Sequence, residues 1–162
     1  MLFSTIEFVV FFLFVLTTIA VIKHKKFQHL FLLGASFFFF YYTSNYLIIL
    51  LIFSTLLDFY AGREIWKTQN IIHKKIIFSI SLAGNLGLLG FFKYADFGIS
   101  QLNILTNSLG IESIPLLNLA LPIGISFYTF QTISYTADIY RGKLEPSKTL
   151  REFALFVAFF PQ

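Results

Sequence analysis

The sequence is short of several residue types, and each shortage excludes a class of protein. It contains no cysteine, which excludes disulfide bonds and cysteine-ligated metal sites. Only 12% of its 162 residues are charged, about half the share found in a typical soluble domain. The chain is instead 57% hydrophobic, with 23 phenylalanines and a mean hydropathy of +0.77. This composition predicts an all-α, polytopic helix bundle that is integral to a membrane.

The net charge of +4 does not indicate a nucleic-acid partner. The basic residues stand in short groups between apolar segments, where they set the orientation of a membrane protein. We therefore expect a lipid bilayer to surround the chain, and we expect no nucleic acid to bind it.

Apolar segments of helical length follow one another along the chain. The longest, residues 27–60, would form a helix of about 50 Å, which exceeds the bilayer core of about 30 Å. Thr43, Ser44 and Asn45 interrupt this segment and are typical N-cap residues, so we predict two short spans joined by a tight turn. About five spans and the start of a further helix result, at residues 2–22, 27–42, 46–62, 76–94, 121–140 and 150–162.

The polar stretches predict the connections and the helix ends. Residues 95–120 contain several asparagines and glycines and are expected to form a loop, with room for one interfacial helix. Pro122 suits the first turn of the fifth helix. Gly142 suits the position just after the end of that helix.

The basic residues agree on one orientation of the chain. With five spans and the N-terminus outside, all of them except Lys93 face the cytoplasm, as the positive-inside rule requires. A cleaved signal peptide is the alternative for residues 2–22, but its positive charge would precede the apolar region instead of following it. The residues on the cytoplasmic side would be Lys23, Lys25, Lys26, Arg63, Lys67, Lys74, Lys75, Arg141, Lys143, Lys148 and Arg151.

The segment 121–142 is more polar than a lipid-facing helix should be. At 100° per residue its polar side chains fall on one face, which lipid cannot satisfy. This face therefore lines a polar path or packs into a polar seam, and the residues alone leave both interpretations open. Its members are Tyr128, Gln131, Ser134, Tyr135 and Asp138, with Arg141 at the cytoplasmic end. The residues predicted on the other side are Ile125, Thr129, Ile133, Thr136 and Ile139.

Small residues in the fourth span predict helix packing. Ser79, Ala83 and Gly87 recur at four-residue spacing and form a ridge that a second helix could approach closely. Asn85 lies near the middle of the same span and is expected to hydrogen-bond a neighbouring helix.

No complete catalytic constellation is present. The three histidines, His24, His29 and His73, lie at or beyond predicted membrane boundaries beside positive charges, so we interpret them as surface residues. The sequence contains none of the common metalloprotease, serine hydrolase or nucleotide-binding motifs, and no metal site is predicted.

Several stretches resemble the membrane-bound O-acyltransferase family. The longest runs from "LPIGISFYTFQTISYTADIYRG" (121–142) to "FALFVAFFPQ" (153–162). The start "MLFSTIEF" and the stretches "STLLDFYAGREI" (54–65) and "NLGLLGFFKYADF" (85–97) agree with it in the same order. The similarity is to the bacterial branch that contains alginate O-acetyltransferase and the D-alanyl transfer protein of teichoic acid synthesis.

This resemblance implies a ring of helices around a tunnel in the bacterial inner membrane. An acyl group, expected to be acetyl, would pass from acetyl-CoA or an acylated carrier in the cytoplasm to hydroxyls of an extracytoplasmic polysaccharide or wall polymer. No bound cofactor is implied, and an acyl-carrier protein or a periplasmic acyltransferase is an expected partner. The polar face of 121–142 would line or brace the tunnel, with Asp138, Tyr140 and Arg141 near its cytoplasmic mouth.

The resemblance also implies that the chain is incomplete. The catalytic histidine of the family lies downstream of "FFPQ", and no histidine of this chain matches it. We therefore expect the 162 residues to be the N-terminal part of a longer protein and to be inactive alone.

Two other functions remain as alternatives. A transporter or flippase subunit would use the same polar face to bind a solute, and it would show an internal inverted repeat, which this sequence lacks. A non-catalytic membrane scaffold would use the small-residue ridge, and a reading frame that ends near Gln162 would favour it.

Overall fold

A computed structural model describes residues 5–108, 112–119 and 124–160. All regular structure in these ranges is helical and none of it is strand, as the composition predicts. The helices are α1 (Ile6–Val21), α2 (Lys25–Ser44), a 3₁₀ turn (Asn45–Leu47), α3 (Ile48–Lys67), α4 (Ile71–Ser108), α5 (Ile125–Tyr140) and α6 (Leu150–Ala158).

Two helical stretches of the described chain are long and apolar enough to cross a membrane. They are Lys25–Lys67, which includes the 3₁₀ turn, and Ile71–Asn107. Large apolar side chains stay exposed along both stretches, as lipid contact would allow; Phe27 is 63% exposed and Ile80 is 58% exposed. The predicted helical fold is therefore confirmed for the described residues, and two of its stretches are suited to a membrane, whereas the five separate crossings remain a prediction.

The helix is interrupted at the predicted place, but by a different mechanism, and the division into two spans remains a prediction. Asn45 has a positive φ of 53°, and this backbone conformation ends α2. None of the three polar residues caps α3, because its N-cap position is Leu47. Thr43 instead donates its hydroxyl to the carbonyls of Phe39 and Phe40 within α2, at 3.0 Å in each case.

The loop predicted at 95–120 is wrong over its first half. Helix α4 continues without interruption through Ser108 and has 38 residues, which corresponds to a length of about 57 Å. Beyond it, residues 112–119 have no regular secondary structure and lie beside the helix that precedes them. Asp96 accepts hydrogen bonds from the backbone N–H groups of Leu117 (2.8 Å) and Leu119 (3.3 Å), which fixes this return segment.

The end of α5 is formed as the sequence predicts. Gly142 has a φ of +71° and directly follows the C-cap residue Arg141. Its N–H donates to the carbonyl of Ile139 and the N–H of Lys143 donates to that of Asp138, which together form a Schellman motif. Pro122, predicted to open this helix, lies outside the described residues.

Aromatic side chains fill the contacts between helices. Phe153 of α6 is fully buried, with its ring 4.3 Å from that of Tyr135 and 6.2 Å from that of Phe59. Phe160, just after α6, packs with Phe39 of α2 and with α1. Helix α6 thus joins the α1–α2 pair to a bundle formed by α3, α4 and α5.

Candidate functional site

Three helices each bring one pair of polar side chains to a common buried point. The pairs are spaced four residues apart, so that both members of a pair lie on one helix face. All six side chains are at most 1% exposed. They are Ser54 and Asp58 of α3, Ser81 and Asn85 of α4, and Thr132 and Thr136 of α5. We call this group the polar cluster.

Asp58 is the centre of the polar cluster. Its Oδ1 accepts hydrogen bonds from the hydroxyls of Ser81 and Thr136, the second at 3.2 Å. Its Oδ2 accepts a bond from Asn85 Nδ2 at 2.8 Å. One carboxyl group therefore joins all three helices.

Asn85 extends the polar cluster towards Ser54. The Ser54 hydroxyl donates to Asn85 Oδ1 and lies 3.4 Å from the hydroxyl of Thr132. Asn85 also donates to the carbonyl of Ser81 at 3.0 Å. The Asn85 side chain thus forms two hydrogen bonds with α3. Its Oδ1 accepts from Ser54, and its Nδ2 donates to Asp58.

No cation pairs with Asp58 in the described part of the chain. The ion pair found there joins Lys67 to Glu64 at 2.9 Å on the exposed surface. A buried carboxyl group without a counterion needs hydrogen-bond donors, and three neutral side chains supply them here. The polar cluster can therefore hold three helices together, and it presents no charged group to a substrate.

Two glycines near the polar cluster leave room for side chains of the neighbouring helices. A methyl group added at Gly62 of α3 would lie 2.8 Å from Ile139 Cδ1 and 3.1 Å from Tyr135 Cε1. One added at Gly84 of α4 would lie 2.8 Å from Leu57 Cδ2. A side chain at either glycine would therefore require these neighbouring side chains to shift.

The buried face of α5 is rotated relative to the predicted polar face. Tyr128 and Tyr135 are buried as expected, but Ser134 is exposed. Thr129 and Thr136, predicted on the opposite side, are at most 2% exposed. The polar contacts of this helix therefore involve its threonines more than the residues that the sequence selected.

The other selected residues of this segment lie apart from the polar cluster. Gln131 donates through Nε2 to the carbonyl of Phe156, at 3.0 Å, and so ties α5 to α6. Asp138 is half-buried and Arg141 is exposed, without an ion pair between them. That these residues line or brace a tunnel remains a prediction.

The small-residue ridge predicted on α4 is not covered by another helix of the described residues, and its role in packing remains a prediction. Ser79, Ala83 and Gly87 are all exposed, and a methyl group added at Gly87 would meet no atom within 4 Å. The face that packs contains Ser81 and Asn85 instead. Asn85 does bond across helices, in the way its position suggested.

Sequence reasoning missed the other five members of the polar cluster. A usable signal was present, because pairs of polar residues at i and i+4 recur inside three apolar helices. The histidines offer no comparable site, since no three His, Asp or Glu side chains come together as metal ligands within the described ranges.

Comparison with known proteins shows which enzymes the chain resembles. It is 35% identical to the "Probable alginate O-acetylase AlgI" of Pseudomonas aeruginosa and 34% identical to that of Pseudomonas putida, in both cases over 99% of its own length. These relatives are named as O-acetylases, and the chain is similar to them over almost all of its own length. It is also 31% identical to the "Peptidoglycan O-acetyltransferase" of Helicobacter pylori, over 86% of its length.

This homology to acyltransferases covers only part of each relative. The chain spans 31% of the P. aeruginosa protein, 33% of the P. putida protein and 30% of the H. pylori protein. No family model matches the chain, and no solved structure matches it.

Proposed function

We propose that the protein is a membrane-bound O-acyltransferase that transfers acetyl groups to hydroxyls of an extracytoplasmic polysaccharide or wall polymer. One observation carries this proposal: the similarity to acetyltransferases extends along 99% of the chain. The names of these relatives concern two different polymers, alginate and peptidoglycan. Both contain sugar hydroxyls, which supports acetyl transfer to a glycan as the shared chemistry.

The donor is proposed to be cytoplasmic, either acetyl-CoA or an acylated carrier. An acyl-carrier protein or a periplasmic acyltransferase would then be the protein partner. The reaction needs a general base or nucleophile. The polar cluster supplies neither, because the Asp58 carboxyl group is buried and both of its oxygens already accept hydrogen bonds. We propose that the remainder of the intact protein supplies the catalytic histidine and that this region alone is inactive.

The proposed orientation is multi-pass in the bacterial inner membrane, with the N-terminus outside. The positions of the basic residues at helix ends support it. Lys25 and Lys26 begin α2, Lys67 ends α3, and Lys74 lies in the first turns of α4. Arg141 follows the end of α5, so successive helices carry their charge at alternating ends.

Cysteine labelling tests this orientation, because the region has no cysteine of its own. Glu112→Cys and Lys143→Cys place single thiols at exposed positions on opposite sides of the proposed membrane. A membrane-impermeant maleimide added to intact spheroplasts should label Glu112→Cys and should label Lys143→Cys only after lysis. The reverse pattern would invert the proposed orientation.

Measuring ester-linked acetate tests the proposed activity. Deletion of the gene should remove the acetate that mild alkali releases from cell-surface polymers, and expression of the intact protein should restore it. Acetate that persists in the deletion strain, in a genome without a second homologue, would contradict the proposal. Expression of residues 1–162 alone is the matched control, and it should restore none.

A further inference from the structure

A small basic recess lies between the end of α3 and the segment that joins α5 to α6. Its cavity of about 170 Å³ is lined by Arg63, Trp66, Lys67, Pro146, Ser147 and Lys148. A water molecule occupies about 30 Å³, so the recess can hold a phosphate group together with part of its ester. We call it the basic recess.

The charge of the basic recess is unbalanced. Three of its six lining residues are cationic, and no carboxylate lines it among the described residues. Glu64 pairs with Lys67 at 2.9 Å, which leaves Arg63 and Lys148 without an ion pair in the described ranges. Like charges repel when they converge on one cavity, and an anion between them removes that repulsion.

Contacts outside the basic recess hold its walls in place. The Arg63 guanidinium lies over the Phe59 ring, 5.3 Å from its centroid, in an arrangement that favours a fixed cation. On the opposite wall, the N–H of Ser147 donates to Tyr135 Oη at 3.0 Å. Tyr135 is itself buried against Phe153. Both walls are thus held by aromatic residues of the core, and neither of these contacts involves the opposite wall.

Trp66 indicates where the basic recess lies relative to lipid. It is the single tryptophan of the chain and is 44% exposed at the wall of the recess. Exposed tryptophans concentrate at the level of lipid headgroups, and basic residues at this level attract anionic lipids.

We propose that the basic recess binds the phosphate of a phosphate ester at the membrane surface. Two sources carry this chemistry: the headgroup of an anionic phospholipid and the phosphates of a soluble acyl donor such as CoA. Phosphate-ester binding does not require acetyl transfer. A failure of the binding proposal can therefore be distinguished from a failure of the proposed acetyltransferase activity.

Binding measurements on the purified intact protein in neutral detergent test this proposal. Phosphatidylglycerol, phosphatidylcholine and CoA are titrated separately at low salt, and bound ligand is measured by native mass spectrometry. Arg63→Gln and Lys148→Gln should each weaken binding of the recognised ligand about five-fold, the effect of one cation near a membrane surface. Lys143→Gln is the matched control, because it removes the same charge from the same connection outside the recess.

Each outcome has a defined meaning. Phosphatidylglycerol binding that depends on Arg63 and Lys148 identifies a lipid site, and CoA binding with this dependence identifies a donor site. The proposal is overturned if neither variant weakens binding of either ligand, or if Lys143→Gln weakens it equally. Unfolding temperatures of all variants are measured first, so that a folding defect is not mistaken for lost binding.

Discussion

Replacing Asp58 tests whether the polar cluster holds the three helices together. Asp58→Ala removes the acceptor of three hydrogen bonds, from Ser81, Asn85 and Thr136. Asn85 and Thr136 keep second acceptors, the carbonyls of Ser81 and Thr132, each at 3.0 Å. The hydroxyl of Ser81 keeps none among the described residues.

The expected loss in the free energy of unfolding can be estimated from the hydrogen bonds that are lost and kept. An interhelical hydrogen bond in a membrane protein contributes about 0.6 kcal/mol on average, and a buried polar group left without a partner costs about 1–3 kcal/mol. Three lost bonds and one unpaired hydroxyl therefore cost about 3–5 kcal/mol in the free energy of unfolding. Asp58→Asn should cost less than about 1 kcal/mol, because Asn85 can flip its amide, accept from the new side chain and donate to Ser54.

Unfolding in a denaturing detergent measures both variants. The fluorescence of Trp66 reports on α3, the helix that carries Asp58. Asp138→Ala is the control, because Asp138 is half-buried on α5 and its carboxyl group accepts no hydrogen bond in the described structure. Wild-type stability of Asp58→Ala would refute the role of the polar cluster. Equal losses in Asp58→Asn and Asp58→Ala would show that an amide cannot replace the carboxyl group in these contacts.

Four further substitutions have defined outcomes. Gly62→Ala should destabilise the protein by about 1–3 kcal/mol, because the added methyl group overpacks against α5. Gly87→Ala should stabilise it by about 0.5–1 kcal/mol. Detergent unfolding measures both variants, and equal effects would contradict the packing described. Tyr128→Phe should leave stability unchanged or raise it by about 1 kcal/mol, because the buried hydroxyl it removes has no hydrogen-bond partner among the described residues; a clear loss would reveal a missed partner. Tyr135→Phe should weaken phosphate-ester binding at the basic recess about as much as Lys148→Gln, since it releases the Ser147 backbone; the control Tyr94→Phe should not.

Composition and local chemistry predicted most of the helices. The run of apolar residues with a polar interruption located the break at Asn45, and Gly142 marked the end of α5. Both are local effects, since each depends on the backbone preferences of one or two residues. The length of α4 was missed because asparagine and glycine are frequent in loops. The contacts of Asp96 with Leu117 and Leu119, which pair the return segment with the helix, lie more than 20 positions apart in sequence.

The polar cluster was missed for a different reason. A threonine in a helix can donate to a carbonyl of its own preceding turn, as Thr132 and Thr136 both do, so it seldom signals a need for a distant partner. The partner of Thr136 is Asp58, 78 positions earlier in the chain. Periodicity on one helix cannot identify such a pairing, and on α4 it selected the exposed face that contains Ser79 and Ala83.

The uninterrupted length of α4 gives it the mechanics of a lever. Its 38 residues contain no proline, so every residue of the helix keeps the N–H group that the helical hydrogen bonds need. Asn85 pins the helix to α3, about 27 Å from Asn103, which bonds the backbone of Ile114, and about 18 Å from His73 at the other end. If α4 turned as a rigid body about Asn85, a displacement of the return segment would appear at His73 reversed in direction and at about two thirds of its size. The position of the pivot sets that ratio, and the contacts of Asp58 set how firmly the pivot is held.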